Sequence, residues 1–449
     1  MRTIHWFRQD LRLADNPAFA AACAAGDVVP AYILEDSDPI GGASRWWLHH
    51  SLKALQASLP SLILRRGNSA SHLMQIAAQT GAKHIYANRQ YEPWWREADS
   101  QIAAECELVL FGGNQLADPK TILTGGGGRY KVFTPWWRNL LGLMPPPLPL
   151  AAPKVNANVK GVDSDDLSEW NLLPKKPDWA TGFSDWTPGE DGAREAFRAF
   201  IPKLADYDET RNLPSQEGIS RLSPHLHFGE ISPNIVWHHA SKAAGAKAEP
   251  FLREIGWRDY AANLIDQFPN YQSENGRPAF DPLQWRSGEA ADRDFTAWSK
   301  GQTGYPIVDA GMRELWATGF MHNRVRMIAA SFLIKHLLID WRRGERWFWD
   351  TLCDADYASN ASNWQWVAGT GVDAPMMSRI MAPLSQSEKF GARDYIRRWV
   401  PELAALDDPY IHDPDEFGMR PKAYPAKRIG HRDARDRALA AMRSIKDGN

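Results

Sequence analysis

Residues 143–153 read LMPPPLPLAAP, five prolines in eleven positions. Proline fixes φ and offers no amide N–H, so this stretch is neither helix interior nor central strand. No single sheet or bundle runs through it, and 449 residues suffice for a separate core on each side.

The two sides differ in period. Ahead of the prolines, short β-rich apolar runs at 3–7 (TIHWF), 28–34 (VVPAYIL), 61–65 (SLILR), 84–88 (HIYAN) and 107–111 (ELVLF) alternate with helical stretches such as 45–58 and 69–81. That order predicts an α/β domain over 1–130, a Rossmann-like parallel five-stranded sheet with helices on both faces. The GxGxxG fingerprint is absent, and GGGG at 125–128 follows the last strand, so it reads as a loop rather than a phosphate cradle. From the prolines to about Pro188 the sequence is polar, turn-rich and aperiodic, and an interdomain linker is expected over 131–188. Beyond it the period becomes helical: Ala193, Phe197, Phe200 and Leu204 share one face, and 245–268, 306–318, 321–339 and 344–352 keep the same spacing. An all-α domain over 189–449 follows.

At 44% apolar and 24% charged residues the chain is globular rather than disordered or collagenous. No run approaches the ~18 apolar residues of a membrane-spanning helix. Three cysteines (Cys23, Cys106, Cys353) without CxxC spacing support neither a disulfide framework nor a zinc site. With no signal-peptide stretch at the N-terminus, a cytoplasmic location is expected. The formal charge is −2, so any nucleic-acid surface has to be a local basic patch. Tryptophan is in excess, 21 against 17 Phe and 12 Tyr, although cores are filled mainly by aliphatics.

Four constellations in the helical part carry chemistry. In GISRLSPHLHFGEISP (218–233), Ser220 and Ser223 flank a turn before a helix, where hydroxyls and free N–H groups either cap the helix or bind phosphate. In EIGWRDY (254–260), Glu254, Trp257 and Arg258 share one helical face, as a surface ion pair or as part of a site. In MHNRVRM (321–327), Asn323, Arg326 and Met327 form a polar stripe on an otherwise apolar helix, and a buried Arg326 demands a carboxylate. DADYASNASNWQW (354–366) offers Asp354 and Asp356. A hard-metal site needs more oxygen ligands than these two, so no metal is expected and pairing with Arg326 is the better use.

These residues, together with WFRQDLRLADNPA (6–18), TGYPIVDAGMRELWATGFMHNRVRMIAASFLIKHLLIDWRRGERWF (303–348) and DADYASNASNWQWVAGTGVDA (354–374), resemble the photolyase/cryptochrome family along nearly the whole chain. The resemblance implies FAD folded into a U within the helical domain and light-driven repair of UV-damaged DNA. Tyr207, Ser220, Leu222 and Ser223 match positions at the ribityl and diphosphate, with Ile219 where many relatives have Thr. Asn323, Arg326, Asp354, Asp356 and Asn360 match the surroundings of the adenine and isoalloxazine, Asn360 facing flavin N5. Arg326 paired with Asp354 is expected to favour an anionic reduced flavin.

Relatives that repair (6-4) photoproducts carry histidines where this chain has Asn323 and Met327, and single-strand specialists replace the Trp366 position with Tyr. The sequence therefore resembles a class I cyclobutane pyrimidine dimer photolyase, a monomer acting on duplex DNA. The implied chemistry is base flipping, one-electron transfer from light-excited reduced FAD, ring opening and return of the electron. Trp257, counted with the cofactor shell as well, and Trp366 would wall the dimer. Glu254 would hydrogen-bond a pyrimidine carbonyl if burial keeps it protonated. By the same resemblance Asn323 and Met327 would face the dimer, and Arg211 and Arg379 match phosphate-contacting positions, although APMMSRIMAP (374–383) departs from the aromatic APYFRIFNP pattern. Trp364, Trp341 and Trp298 match an electron-transfer triad from flavin to surface. An antenna chromophore, methenyltetrahydrofolate or 8-hydroxy-5-deazaflavin, is implied near GGASRWWLHHSL (41–52) and NRQYEPWW (88–95), with Glu92 as a pterin contact; His49 and His50 read as surface or interdomain residues. A signalling cryptochrome is the competing function, and a plain flavin oxidoreductase, for which no nicotinamide site is seen, is the third.

Overall fold

A computed structural model describes residues 2–36, 40–157, 161–375 and 379–446. The first half runs β1 (Arg2–Phe7), α1 (Pro17–Ala25), β2 (Asp27–Leu34), α2 (Gly42–Ser58), β3 (Ile63–Arg66), α3 (Ser69–Thr80), β4 (His84–Asn88), α4 (Pro93–Ala103) and β5 (Glu107–Phe111). The five strands are parallel in the order β3-β2-β1-β4-β5, with Ile4 opposite Val29 on one side and Ile85 on the other. Successive strand residues feed two cores, as the pleat requires. Ile4, Trp6, Val29, Ala31 and Ile33 enter one, and Phe7, Val28, Tyr32 and Leu34 the other. Side chains of Asn16 and Asn68 cap α1 and α3 by accepting the Phe19 and Ser71 N–H groups, and left-handed Gly81 ends α3.

The helical half comprises α5 (Phe133–Leu141), α6 (Glu190–Phe200), α7 (Tyr207–Thr210), α8 (Ser223–His227), α9 (Pro233–Ala244), α10 (Glu249–Gln267), α11 (Glu289–Ser299), α12 (Pro306–Thr318), α13 (Asn323–Ser331), α14 (Trp341–Thr351), α15 (Tyr357–Ala368), α16 (Pro383–Lys389), α17 (Arg393–Trp399) and α18 (His431–Lys446). Two expectations are corrected here. The helix expected over 321–339 stops at Ser331, passes into a π-helical turn over Phe332–His336 and breaks at left-handed Leu338. The expected linker over 131–188 is not a passive strap. Its helix α5 buries Phe133, Trp136, Trp137 and Leu140 in the core around α10, while Trp170, Phe183 and Trp186 fill the core beneath α2.

The halves are locked by buried polar contacts. Arg12, 1% exposed, donates to the carbonyls of Asp15 (2.9 Å), Gly113 (2.6 Å) and Gly229 (2.8 Å) and to Asn114 Oδ1 (3.1 Å). Trp47 Nε1 donates to Glu230 at 3.0 Å and Ser232 to Asp15 at 2.5 Å. Gly229 is obligatory: its φ is +65°, and a Cβ would stand 2.1 Å from the Gln9 carbonyl. Among the described residues no helix is long and apolar enough to cross a membrane.

Candidate active site

A cavity of about 510 Å³ opens among α8, α10, α13 and α15, within the ~300–1,000 Å³ usual for small-molecule sites. It gathers Tyr207 and Arg211 from α7 and its end, Ser220, Leu222 and Ser223 from the turn into α8, and Glu254 and Trp257 from α10. Asn323, Arg326 and Met327 of α13, Asp354 and Asp356, and Asn360, Trp364 and Trp366 of α15 complete it. Arg221, which the sequence reading passed over, also lines it, with its guanidinium 4.2 Å from the Trp186 ring centroid.

Arg326 and Asp354 meet in a bidentate pair at 3.0 and 2.9 Å, and Arg326 Nε donates to the Met321 carbonyl at 2.7 Å. Three directed N–H bonds fix this guanidinium. Ser223 donates to Asp354 at 2.5 Å, so its hydroxyl is already engaged, whereas Ser220 Oγ accepts the Leu222 N–H at 3.3 Å. Asp356 starts α15 by accepting the Ser359 N–H at 2.7 Å. Burial opposes its charge, but His227 at 3.6 Å, Arg258 and that N–H outweigh the burial and hold the carboxyl well below the ordinary range.

One turn later, Asn360 Nδ2 donates both to Glu345 Oε1 (2.8 Å) and to the Glu345 carbonyl (3.1 Å). With the amide hydrogens spent on Glu345, the acceptor Oδ1 is left for the cavity. Glu345 is 1% exposed, also accepts from Gln272 at 2.8 Å, and is pushed up to about 7 by burial. Sequence reasoning missed it because RRGER reads as a solvated charge run. Gly344 precedes it where a Cβ would stand 2.2 Å from the Trp364 ring.

At the mouth, Glu254 is corrected in one respect. It is not buried in an apolar pocket; its side chain is 30% exposed and holds Arg211 at 2.6 Å. Arg258 turns away from Glu254 and donates to the carbonyls of Asn114 and Leu226, joining α10 to the sheet half. Arg324 donates to Asn212 Oδ1 at 2.7 Å, and exposed Arg379 lies 5.7 Å from the Trp366 ring centroid. Residues 376–378 of the divergent APMMSRIMAP segment lie outside the described residues.

The triad also needs correction. Trp298 and Trp341 are both 0% exposed, so Trp298 is not a surface terminus. The Trp298 ring lies 6.3 Å from Trp364 and continues through Phe295 (5.6 Å) and Trp347 (6.2 Å) to Trp316 (6.1 Å), which is exposed. Trp341 stands one turn before Gly344 and its contact with Trp364. Partly exposed Trp285, which the sequence reading did not single out, is followed by Arg286, whose N–H and guanidinium bind the carbonyls of Leu338 (2.8 Å) and Leu337 (2.7 Å) just ahead of Trp341. Nor does Glu92 suit a pterin. It is 4% exposed, accepts the Tyr91 N–H at 3.0 Å, and borders a cavity of only about 10 Å³, the space of roughly one water. Among the described residues no cluster of metal-ligating side chains occurs.

A sequence model described as "DNA photolyase" matches residues 3–154, and one described as "FAD binding domain of DNA photolyase" matches residues 251–444. The chain is 48% identical to the deoxyribodipyrimidine photo-lyase of Agrobacterium fabrum over 99% of its length and 98% of the relative's. It is 35% identical to cryptochrome-2 of Arabidopsis thaliana over 92% of its length and 72% of the relative's. Among solved structures, a bacterial class III photolyase from Agrobacterium tumefaciens superposes with a TM-score of 0.94 at 46% identity, covering 99% of this chain and 98% of that one. Kinship over its full length, with a cavity inside the helices of its FAD-binding half, makes this chain a member of the DNA photolyase and cryptochrome family.

Proposed function

We propose that this chain is a cytoplasmic, light-driven repair enzyme that reopens cyclobutane pyrimidine dimers in duplex DNA. One observation carries the reading: a single cavity has the fixed Arg326–Asp354 pair and the Asn360 amide in its interior, and two flat indoles, Trp257 and Trp366, with arginines beside them. The donor set suits FAD. Ser220 and Arg221 would hold the diphosphate, Asp354 and Asp356 the adenine side, and Asn360 the N5 edge of the ring system. When bound and reduced, FAD supplies the one electron that light drives to a dimer.

The protein's own residues do the rest. Trp257 and Trp366 offer apolar faces to a flipped lesion. Arg324, Arg211 and Arg379 attract the flanking phosphates, although Arg211 is shared with Glu254. Each phosphate contact steepens the fall of affinity with salt, so a binding constant independent of salt would remove these arginines from the interface. Glu254 enters as the partner that aims Arg211. Asn323 and Met327 in place of histidines favour dimers over (6-4) products. The class I placement expected from the sequence gives way in our reading to class III, on 46% identity over nearly the whole chain.

The deciding experiment incubates the reduced, FAD-loaded protein with dimer-containing duplex, with and without blue light, and counts restored pyrimidines. Restoration only in the light is expected. DNA binding without restoration would transfer the chain to the photoreceptor reading that its cryptochrome kinship supports.

A further inference from the structure

Trp257 has two faces, and the one turned from the cavity is covered. Phe133, at the start of α5, stacks on it with ring centroids 3.5 Å apart and planes 9° from parallel. Phe133 is 5% exposed and does not line the cavity, so it touches the indole only from behind. Two further contacts fix the first turn of α5. The Phe133 N–H, which has no intrahelical acceptor, donates to Asp373 Oδ2 at 2.9 Å, a carboxylate 240 residues away that itself lines the cavity. One turn on, Trp137 lies against Gly256, where a Cβ would come within 2.4 Å of its ring. The segment just before α5 is also tied to α10: Arg129 bonds Asp266 at 2.8 Å, and the Tyr130 carbonyl accepts from Asn263 and Gln267 at 3.0 Å.

From this geometry we infer that Phe133 is a positioning residue for the lesion. It sets the plane of Trp257 before DNA arrives, and the first turn of α5 thereby contributes to the choice of damaged over undamaged DNA. The inference rests on the reading of Trp257 as a wall for the dimer. The physical basis is preorganisation: an indole free to turn must be immobilised on binding, which lowers affinity by up to roughly tenfold, about 1.4 kcal/mol. An undamaged duplex with no flipped base at Trp257 does not meet that term.

The test uses FAD-loaded protein labelled with 5-fluorotryptophan, the Trp257 fluorine signal being assigned by its loss in Trp257→Phe. Phe133→Leu is expected to shift or broaden that signal and to weaken binding of a duplex carrying one thymine dimer by up to about tenfold. Affinity for the same duplex without the dimer and flavin content are expected to stay at wild-type values, and Phe133→Tyr, which keeps the stack, is expected to restore both readouts. Should Phe133→Leu fold poorly, Gly256→Ala displaces Trp137, and α5 with it, and is expected to give the same pair of changes. An unmoved fluorine signal with wild-type dimer affinity overturns the inference, as does an equal loss of affinity for both duplexes. A wild-type protein with no preference for the dimer refutes the function reading and the lesion role with it, while the fluorine signal still decides whether Phe133 holds Trp257.

Discussion

At the scale of residues, the cavity is specified by groups that bind one another before they bind anything else. Glu345 holds both amide hydrogens of Asn360, Asp354 holds Arg326, and Gly344 leaves room for Trp364. Two of the constellations, Glu254–Trp257–Arg258 and Asn323–Arg326–Met327, were legible in sequence because their members sit at i, i+3 and i+4 on one helix. Glu345 was not, because its partner lies 15 positions away on another helix and its own neighbours are charged. The tryptophan excess divides in the same way, since spacing cannot show whether an indole reaches solvent. Trp298 does not, and Trp285 does in part. Trp341→Phe and Trp285→Phe are each expected to slow light-driven reduction of bound oxidised flavin by roughly an order of magnitude, a change of about 1.4 kcal/mol in barrier. Trp298→Phe should have the smaller effect, because its ring leads outward only across Phe295 and Trp347. Transient absorption of the flavin under a fixed light dose checks the order.

Among the elements, α10 holds the molecule together, and its polar residues have fixed duties. Asp259, 0% exposed, accepts the Leu116 N–H at 2.6 Å and so fastens the chain after β5 to the helix. Burial, only partly offset by Arg258 and the backbone N–H groups of Leu116 and Ala117, moves its carboxyl from 3.8 to about 7. An acid raised on folding contributes stability that is complete below its unfolded value and is lost as pH rises through its folded value. The Asp259 contribution to the melting temperature is therefore expected to fall between pH 4 and pH 7, against a rise contributed over part of that range by His5 and His322, which burial lowers to about 4. Asp259→Asn should flatten that fall, and Glu345, also raised to about 7, keeps part of the slope in the variant. Calorimetric melts across this range test it. The strands were legible because a parallel sheet covered on both faces leaves unbroken apolar runs. Helix α5 was not, since Val132 gives it no side-chain cap and its first N–H finds Asp373 instead. Nor was the break at Leu338, where a left-handed non-glycine residue has no sequence signature.

For the whole molecule, the prolines correctly divide strand from helix, yet they do not divide the protein into independent parts. Residues beyond them complete the core under α2, and α5 before them completes the core around α10. Arg12→Ala should leave the Gly113, Gly229 and Asp15 carbonyls without their donor, at about 1–3 kcal/mol for each buried group left unmet. Its melt should shift down, and flavin release should separate in temperature from loss of far-ultraviolet dichroism, whereas both are expected to occur together in the parent. Coincident transitions in the variant would show that the halves do not depend on this guanidinium. The contact from Arg12 to Gly229 spans 217 residues, and a ribosome adding about 5–20 residues per second needs roughly 10–40 s to cover that distance. For that time a nascent sheet must keep a charged side chain hydrated at the seam it will later seal. The fold thus closes around its first dozen residues while most of the cavity's framework has still to be made, and a stall before Gly229 would release an open seam to the cell's chaperones.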